Sequence, residues 1–296
     1  MSVPMVLLGS SLKLSARLAS AALALSLAGT AQAHADSGDR DVARMVSFGG
    51  SCAKCELSGR KLAGATFTGA DFEGATLVGA DLRGATLMGV NFSDADFSRA
   101  NLTGSEMVGT VFTGANLTGA KLDGVEAPAV VFNNADLSGA RLTGAELVAA
   151  NFVRANLNHA NFSSSELIHA QFTKADASRA DFSGAEMNNA DLTAGVFERA
   201  SFRGASLEGA RFRKASFGGA DFRGASLDGA DLRWTDLSDA RGLTQDQIDD
   251  ACSDRTTLLP KGLVAHECSK VMLIRREAPR APKAPAPPTP PVPPRD

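Results

Sequence analysis

A five-residue pattern runs from Cys55 to Asp239 with no break in register, its apolar position Leu or Phe in 33 of 37 units and Met or Ala in the other four. Each unit runs small residue, polar residue, large apolar residue, any residue, then a position that is often glycine. Ala70-Asp71-Phe72-Glu73-Gly74 and Ala180-Asp181-Phe182-Ser183-Gly184 are typical. Fifteen of the sixteen phenylalanines fall on the large position, so this pattern dictates the fold. A helix of 3.6 residues per turn would smear a five-residue pattern around its circumference, and a continuous strand would send alternate large residues to opposite faces. A chain that turns a corner every five residues avoids both outcomes. The small and large residues then point inward, the polar residue and the one after the large residue point outward. The fifth position lies in the turn and is Gly in 20 of 37 units, as a backbone with positive φ prefers.

A second period counts the corners. Every fourth large position from Phe72 reads Phe72, Phe92, Phe112, Phe132, Phe152, Phe172, Leu192, Phe212, Leu232. The series from Leu62 holds leucine to Leu142, then Phe162, Phe182, Phe202 and Phe222. Sorting at twenty residues predicts four sides per coil, with like side chains stacked. Coils roughly 4.8 Å apart then give about nine coils and a rod on the order of 45 Å long.

The units A-[DN]-[LF]-x-G resemble the pentapeptide-repeat family over the whole of Cys55–Asp239. That resemblance implies an all-β solenoid, a right-handed quadrilateral β-helix with the large and small residues inside. It implies little about activity, because the best-known members mimic DNA. The stretch Gly242–Cys268, with Leu243-Thr244-Gln245 and Leu259-Pro260, resembles a tail found after such repeats.

The flanks read differently. Lys13 and Arg17 precede an apolar, alanine-rich run that ends at Ala31-Gln32-Ala33, as a secretory signal does. Residues 1–33 are therefore expected to be removed, leaving an exported protein, periplasmic or extracellular, with no stable membrane insertion. Its loss moves the formal charge from −3 to −5, too mild to name a partner. Residues 34–54 are expected to cap the N-terminal end and 240–270 the C-terminal end. Thr244 with Gln247 reads as a capping box, and Leu243 with Ile248 as a hydrophobic staple, so a short helix is expected at about 245–251. Residues 271–296 are expected to form a disordered tail, with nine prolines from Pro279 onward.

The four cysteines suit an oxidising compartment. Cys52 and Cys55 bracket one corner at inward positions, within reach of a disulfide. The rod separates them from Cys252 and Cys268, so pairing is expected as 52–55 and 252–268. A redox or metal role is the alternative for Cys52-Ala53-Lys54-Cys55; a cap is the reading the position favours.

One outer face carries the functional expectation. Its polar position reads Glu106, Glu126, Glu146, Glu166, Glu186 in consecutive coils, and the outward position beside it reads Met88, Val108, Pro128, Val148, Ile168. An acid ladder beside an apolar ladder suits a binding strip; duplication of a tolerated glutamate is the alternative. Basic residues concentrate at the corners between Ala149 and Arg199: His159, Arg179 and Arg199 on one edge, Arg154 and Lys174 on another. Arg203 with Arg223, and Arg213 with Arg233, extend positive columns, where an anionic polymer or a plain solvated surface are both consistent. No His forms a motif with Ser, Cys or carboxylates, and a coil filled by its own side chains leaves no internal pocket, so no catalysis and no cofactor are expected. With one Trp and no Tyr the chain lacks the usual aromatic anchors. The reading is an exported interaction scaffold of the cell envelope whose partner is another protein or envelope component, not nucleic acid. The alternatives are a DNA-mimicking topoisomerase (gyrase) inhibitor or a cation- or polysaccharide-binding protein. The signal segment and the arginine columns speak against the mimic.

Overall fold

In the computed structural model, residues 50–267 are described; they belong to the unit Ala43–Asp296. The signal segment, the expected N-terminal cap up to residue 49 and the Pro-rich tail lie outside the described residues. Parallel bridges join each outward polar residue to the one twenty positions on, from Ser51↔Asp71 through Asp221↔Arg241. Four bridges per twenty residues make the four-sided coil that the twenty-residue period predicts.

Hydrogen bonding accounts for every position of the unit. In a typical unit the Asp71 N–H donates to the Gly50 carbonyl, Phe72 to Asn91, Gly74 to Ser93 and Ala75 back to Phe72, all at 2.7–3.0 Å. The N–H of the residue after the large one is left over. Asp or Asn at the polar position accepts it: the Glu73 N–H donates to Asp71 Oδ1 at 3.1 Å, Ser98 to Asp96 at 2.8 Å, Ser163 to Asn161 at 2.9 Å. This is why short carboxylates and amides dominate that position.

The corner residue has positive φ whether or not it is glycine: Arg154 (59°), Lys174 (61°), Arg179 (60°) and Trp234 (63°) share it with the glycines. Non-glycine residues pay a steric penalty there.

Inside, the phenylalanines stack as the register requires. Phe92, Phe112, Phe132 and Phe152 follow at ring-centroid separations of 5.1–5.2 Å and interplanar angles of 14–17°. A second column runs Phe162, Phe182, Phe202, Phe222 at 5.0–5.1 Å. The two columns meet edge to face where Phe152 approaches Phe162 at 5.5 Å.

The C-terminal end is closed by α1 (Gln245–Asp250). Thr244 caps it in a full capping box with Gln247, and Ile248 is wholly buried. The last bridges lengthen to Asp231↔Cys252 and Asp236↔Leu258, as the chain departs from five-residue units. At the other end the Cys52–Cys55 disulfide spans one corner, with Cα atoms 5.3 Å apart. Cys252 is not a free thiol; its expected partner, Cys268, lies outside the described residues. Among the described residues no helix is long and apolar enough to cross a membrane.

Candidate protein-interaction face

The coil brings the five glutamates into one column. Glu106↔Glu126, Glu126↔Glu146, Glu146↔Glu166 and Glu166↔Glu186 are consecutive parallel bridges, so each carboxylate sits one rung from the next. Glu126, Glu146 and Glu186 are exposed, Glu106 and Glu166 partly so. Backbone bonds between rungs hold them there: the Met107 N–H donates to the Glu126 carbonyl and the Leu147 N–H to the Glu166 carbonyl, both at 2.7 Å.

These carboxylates differ from the aspartates on the other faces in having no structural task. On the other faces Asp and Asn at this position accept the leftover N–H two residues on, as Asp96, Asp136 and Asn161 do. Glu56 shows that glutamate can also fold back this way, accepting from the Ser58 N–H at 2.9 Å. The five ladder glutamates make no such bond, and among the described residues none joins a salt bridge. At Glu126 there is no donor to accept, because the residue two on is Pro128. Their negative charge therefore projects to solvent without an internal cation to neutralise it.

Beside the acids runs the apolar strip. Met88 and Val108 are 39% and 36% exposed, and Pro128, Val148 and Ile168 are half-buried. The structure extends the strip around the corner to Val111 and Val131, both half-buried. They occupy the outward position that Asp or Asn holds on most rungs, and that departure was the sequence signal for them.

The basic columns resolve into two kinds. Arg203 and Arg223 both pair with Asp221, and Arg213 and Arg233 both pair with Asp231 at 3.1 and 2.8 Å. They are thus interleaved with carboxylates rather than free positive columns. The hydrogen bond from Arg223 holds the Asp221 carboxyl below its ordinary range. At Asp231 burial acts upward, and the bonds from Arg233 outweigh it, so that carboxyl is also lowered. By contrast Arg154, Lys174, Arg179, Arg199 and Lys214 have no ion-pair partner among the described residues. His159, Arg179 and Arg199 do share an edge: Arg179 Nη1 lies 3.5 Å from His159 Nε2, and Asn158, Ser178 and Glu198 complete a shallow depression there. Glu198 sits among these cations, which makes this depression mixed in charge. Among the described residues no three His, Cys, Asp or Glu side chains converge as a metal site would require.

The model of the family described as pentapeptide repeats matches this chain in eight copies, over residues 51–89, 91–126 and, in overlapping stretches, 131–239. The gap at 127–130 falls in the middle of the glutamate face, where Ala127 takes the large position and Pro128 follows. Among solved structures, HetL, a pentapeptide repeat protein involved in heterocyst differentiation regulation from the cyanobacterium Nostoc sp. strain PCC 7120, is 28% identical, with 74% of this chain and 96% of that one covered and a TM-score of 0.35. QnrB1, a plasmid-mediated fluoroquinolone resistance protein, is 22% identical, with 69% and 91% covered and a TM-score of 0.32. A pentapeptide repeat protein from the Arabidopsis thaliana thylakoid lumen is 27% identical, with 48% and 88% covered and a TM-score of 0.24. No curated protein matches the sequence.

Proposed function

The chain belongs to the pentapeptide-repeat family, and from that premise we propose that it is an exported, non-enzymatic scaffold that presents its glutamate face to a basic protein of the cell envelope. The observation that carries this reading is a column of five carboxylates, Glu106, Glu126, Glu146, Glu166 and Glu186, that make neither an ion pair nor the local hydrogen bond by which the aspartates of the other faces are held. Five unneutralised carboxylates attract a basic surface and orient it, while Met88, Val108, Val148 and Ile168 supply apolar area to bury beneath it.

Export is supported by the signal segment at 1–33 and by the Cys52–Cys55 disulfide, which persists in an oxidising compartment. A DNA mimic fits less well: the ladder ends at Glu186↔Ser206, and arginines occupy neighbouring faces beyond it. The experiment is to locate the mature protein by fractionation and N-terminal sequencing, and to cross-link the envelope through a photoreactive residue placed at Val108 or Ile168. A start near residue 34 and one basic protein cross-linked from both positions are the expected result. A full-length cytoplasmic chain would overturn export, and cross-links from control positions on other faces but none from these two would overturn the face.

A further inference from the structure

We propose a second binding site, for an anionic polysaccharide, on the edge formed by Arg154, Lys174, Ala194, Lys214 and Trp234. These residues occupy the same corner in successive coils, each one rung from the next: the Arg154 N–H donates to Thr173, Lys174 to Thr193, Ala194 to Arg213 and Lys214 to Trp234, at 2.8–3.1 Å. The edge thus presents a basic side chain, a second, a notch at half-buried Ala194, a third, and then an indole. Lys174 and Lys214 bracket the notch from two rungs apart, roughly 10 Å.

Two features together mark this edge. Trp234 is the sole tryptophan of the chain and is 59% exposed, whereas the large phenylalanines are buried. Its backbone is fixed from both sides, its carbonyl accepting from Lys214 and its N–H donating to Thr256 Oγ1 at 2.9 Å, so the ring stands on a rigid mount. Secondly, Arg154, Lys174 and Lys214 have no ion-pair partner among the described residues, while the carboxylates around them are engaged. Asp191 meets Arg211 at 3.5 Å, Asp231 meets Arg213 and Arg233, Asp176 accepts from Ser178 and Asn158, and Asp236 accepts from Ser238.

The ligand chemistry follows. Cations spaced along a line match a linear polyanion, and a flat, exposed indole offers its face to a ring. A single platform suits one sugar ring of a chain held chiefly by its charges. Single-stranded nucleic acid is served by several aromatics on which successive bases stack, and among the described residues Trp234 is the one exposed aromatic.

Because there is one tryptophan, its fluorescence reads this site alone. The test titrates the purified protein with polygalacturonate oligomers, with neutral dextran and with oligothymidylate, recording Trp234 emission and its protection from iodide quenching. Lys174→Gly with Lys214→Gly removes two charges while installing the residue that these corners favour, so folding is retained or improved. Saturable protection by polygalacturonate, absent with dextran, weakened by salt and weakened about tenfold in the double glycine variant, is the expected result. Absence of any Trp234 response, equal affinity for dextran, tighter binding of oligothymidylate, or an unaltered affinity in the double variant would overturn the proposal. The glutamate-face variant Glu126→Gln/Glu146→Gln/Glu166→Gln leaves this titration unchanged, so the two proposals fail separately.

Discussion

Gln247 donates its side-chain amide to the Ala225 carbonyl at 2.6 Å and to the Phe222 carbonyl at 3.1 Å, while its Oε1 accepts from the Thr244 N–H at 2.8 Å. One side chain thus closes the helix N-terminus and satisfies the Ala225 carbonyl, which in earlier coils would accept from the following rung, while adding a second donor to the Phe222 carbonyl already bonded to the Ala225 N–H. Stacked repeats need such an end. Replacing Gln247 with Ala is expected to cost about 1–3 kcal/mol, because it leaves the Ala225 carbonyl and the Thr244 N–H without these partners. Gln247→Glu keeps the acceptor for Thr244 but sets a carboxylate against two carbonyls, so it too is expected to destabilise. Urea midpoints of the two variants check this; a Gln247→Glu protein as stable as the parent would show that α1 alone forms the cap.

Phe132 lies wholly buried between Phe112 and Phe152, at 5.1 and 5.2 Å. Phe132→Ala is expected to cost about 3–5 kcal/mol in chemical denaturation, since the rungs above and below cannot close the gap without breaking their ladder bonds. Phe132→Asp buries an unpaired charge and is expected to unfold the adjoining coils, read as lost amide-exchange protection on both sides of residue 132.

Acid is expected to loosen the C-terminal coils. Asp221 and Asp231 have folded-state carboxyl pKa values below their unfolded ones, Asp221 through the Arg223 bonds and Asp231 through Arg233 despite burial. A depressed carboxylate contributes stability above the unfolded value and loses it as pH falls through the folded one. Thermal midpoints are therefore expected to be flat near neutrality and to fall below the ordinary carboxylate range. Asp221→Asn with Asp231→Asn is expected to flatten part of that fall.

The cysteine pairs are expected to be local, 52–55 at one end and 252–268 at the other. Mass spectrometry of unreduced, proteolysed mature protein checks this. An intramolecular peptide joining Cys52 or Cys55 to Cys252 or Cys268 would contradict the separation that the coil imposes.

The architecture was legible because the fold repeats one local decision: residues two apart point inward, and a corner follows. That placed Phe72 beneath Phe92 and Glu126 beneath Glu146 without any long-range guess, and Thr244 with Gln247 marked the helix start. What the pattern hid lies in side-chain partners. Outward exposure alone does not account for Asp and Asn at the polar position: Asp96 and Asn161 each accept a specific backbone N–H. Arg213 and Arg233 read as a positive column, yet both turn onto Asp231, a choice set by side-chain torsions that spacing does not reveal. With one Trp and no Tyr, composition alone gives no sign of an aromatic binding surface. Only the place of Trp234 at an outward corner shows the ring standing free.

The glutamate face is tested most directly by Glu126→Gln/Glu146→Gln/Glu166→Gln. The change removes three like charges one rung apart and touches no hydrogen bond among the described residues, so circular dichroism and the thermal midpoint are expected to be unchanged or slightly improved. Binding to the protein cross-linked at Val108 or Ile168 is then measured at two ionic strengths. Weaker binding with a reduced salt dependence is the predicted result, since the lost contacts are those that salt screens. Binding of undiminished strength and unaltered salt dependence, in a variant folded like the parent, would contradict the assignment of this face.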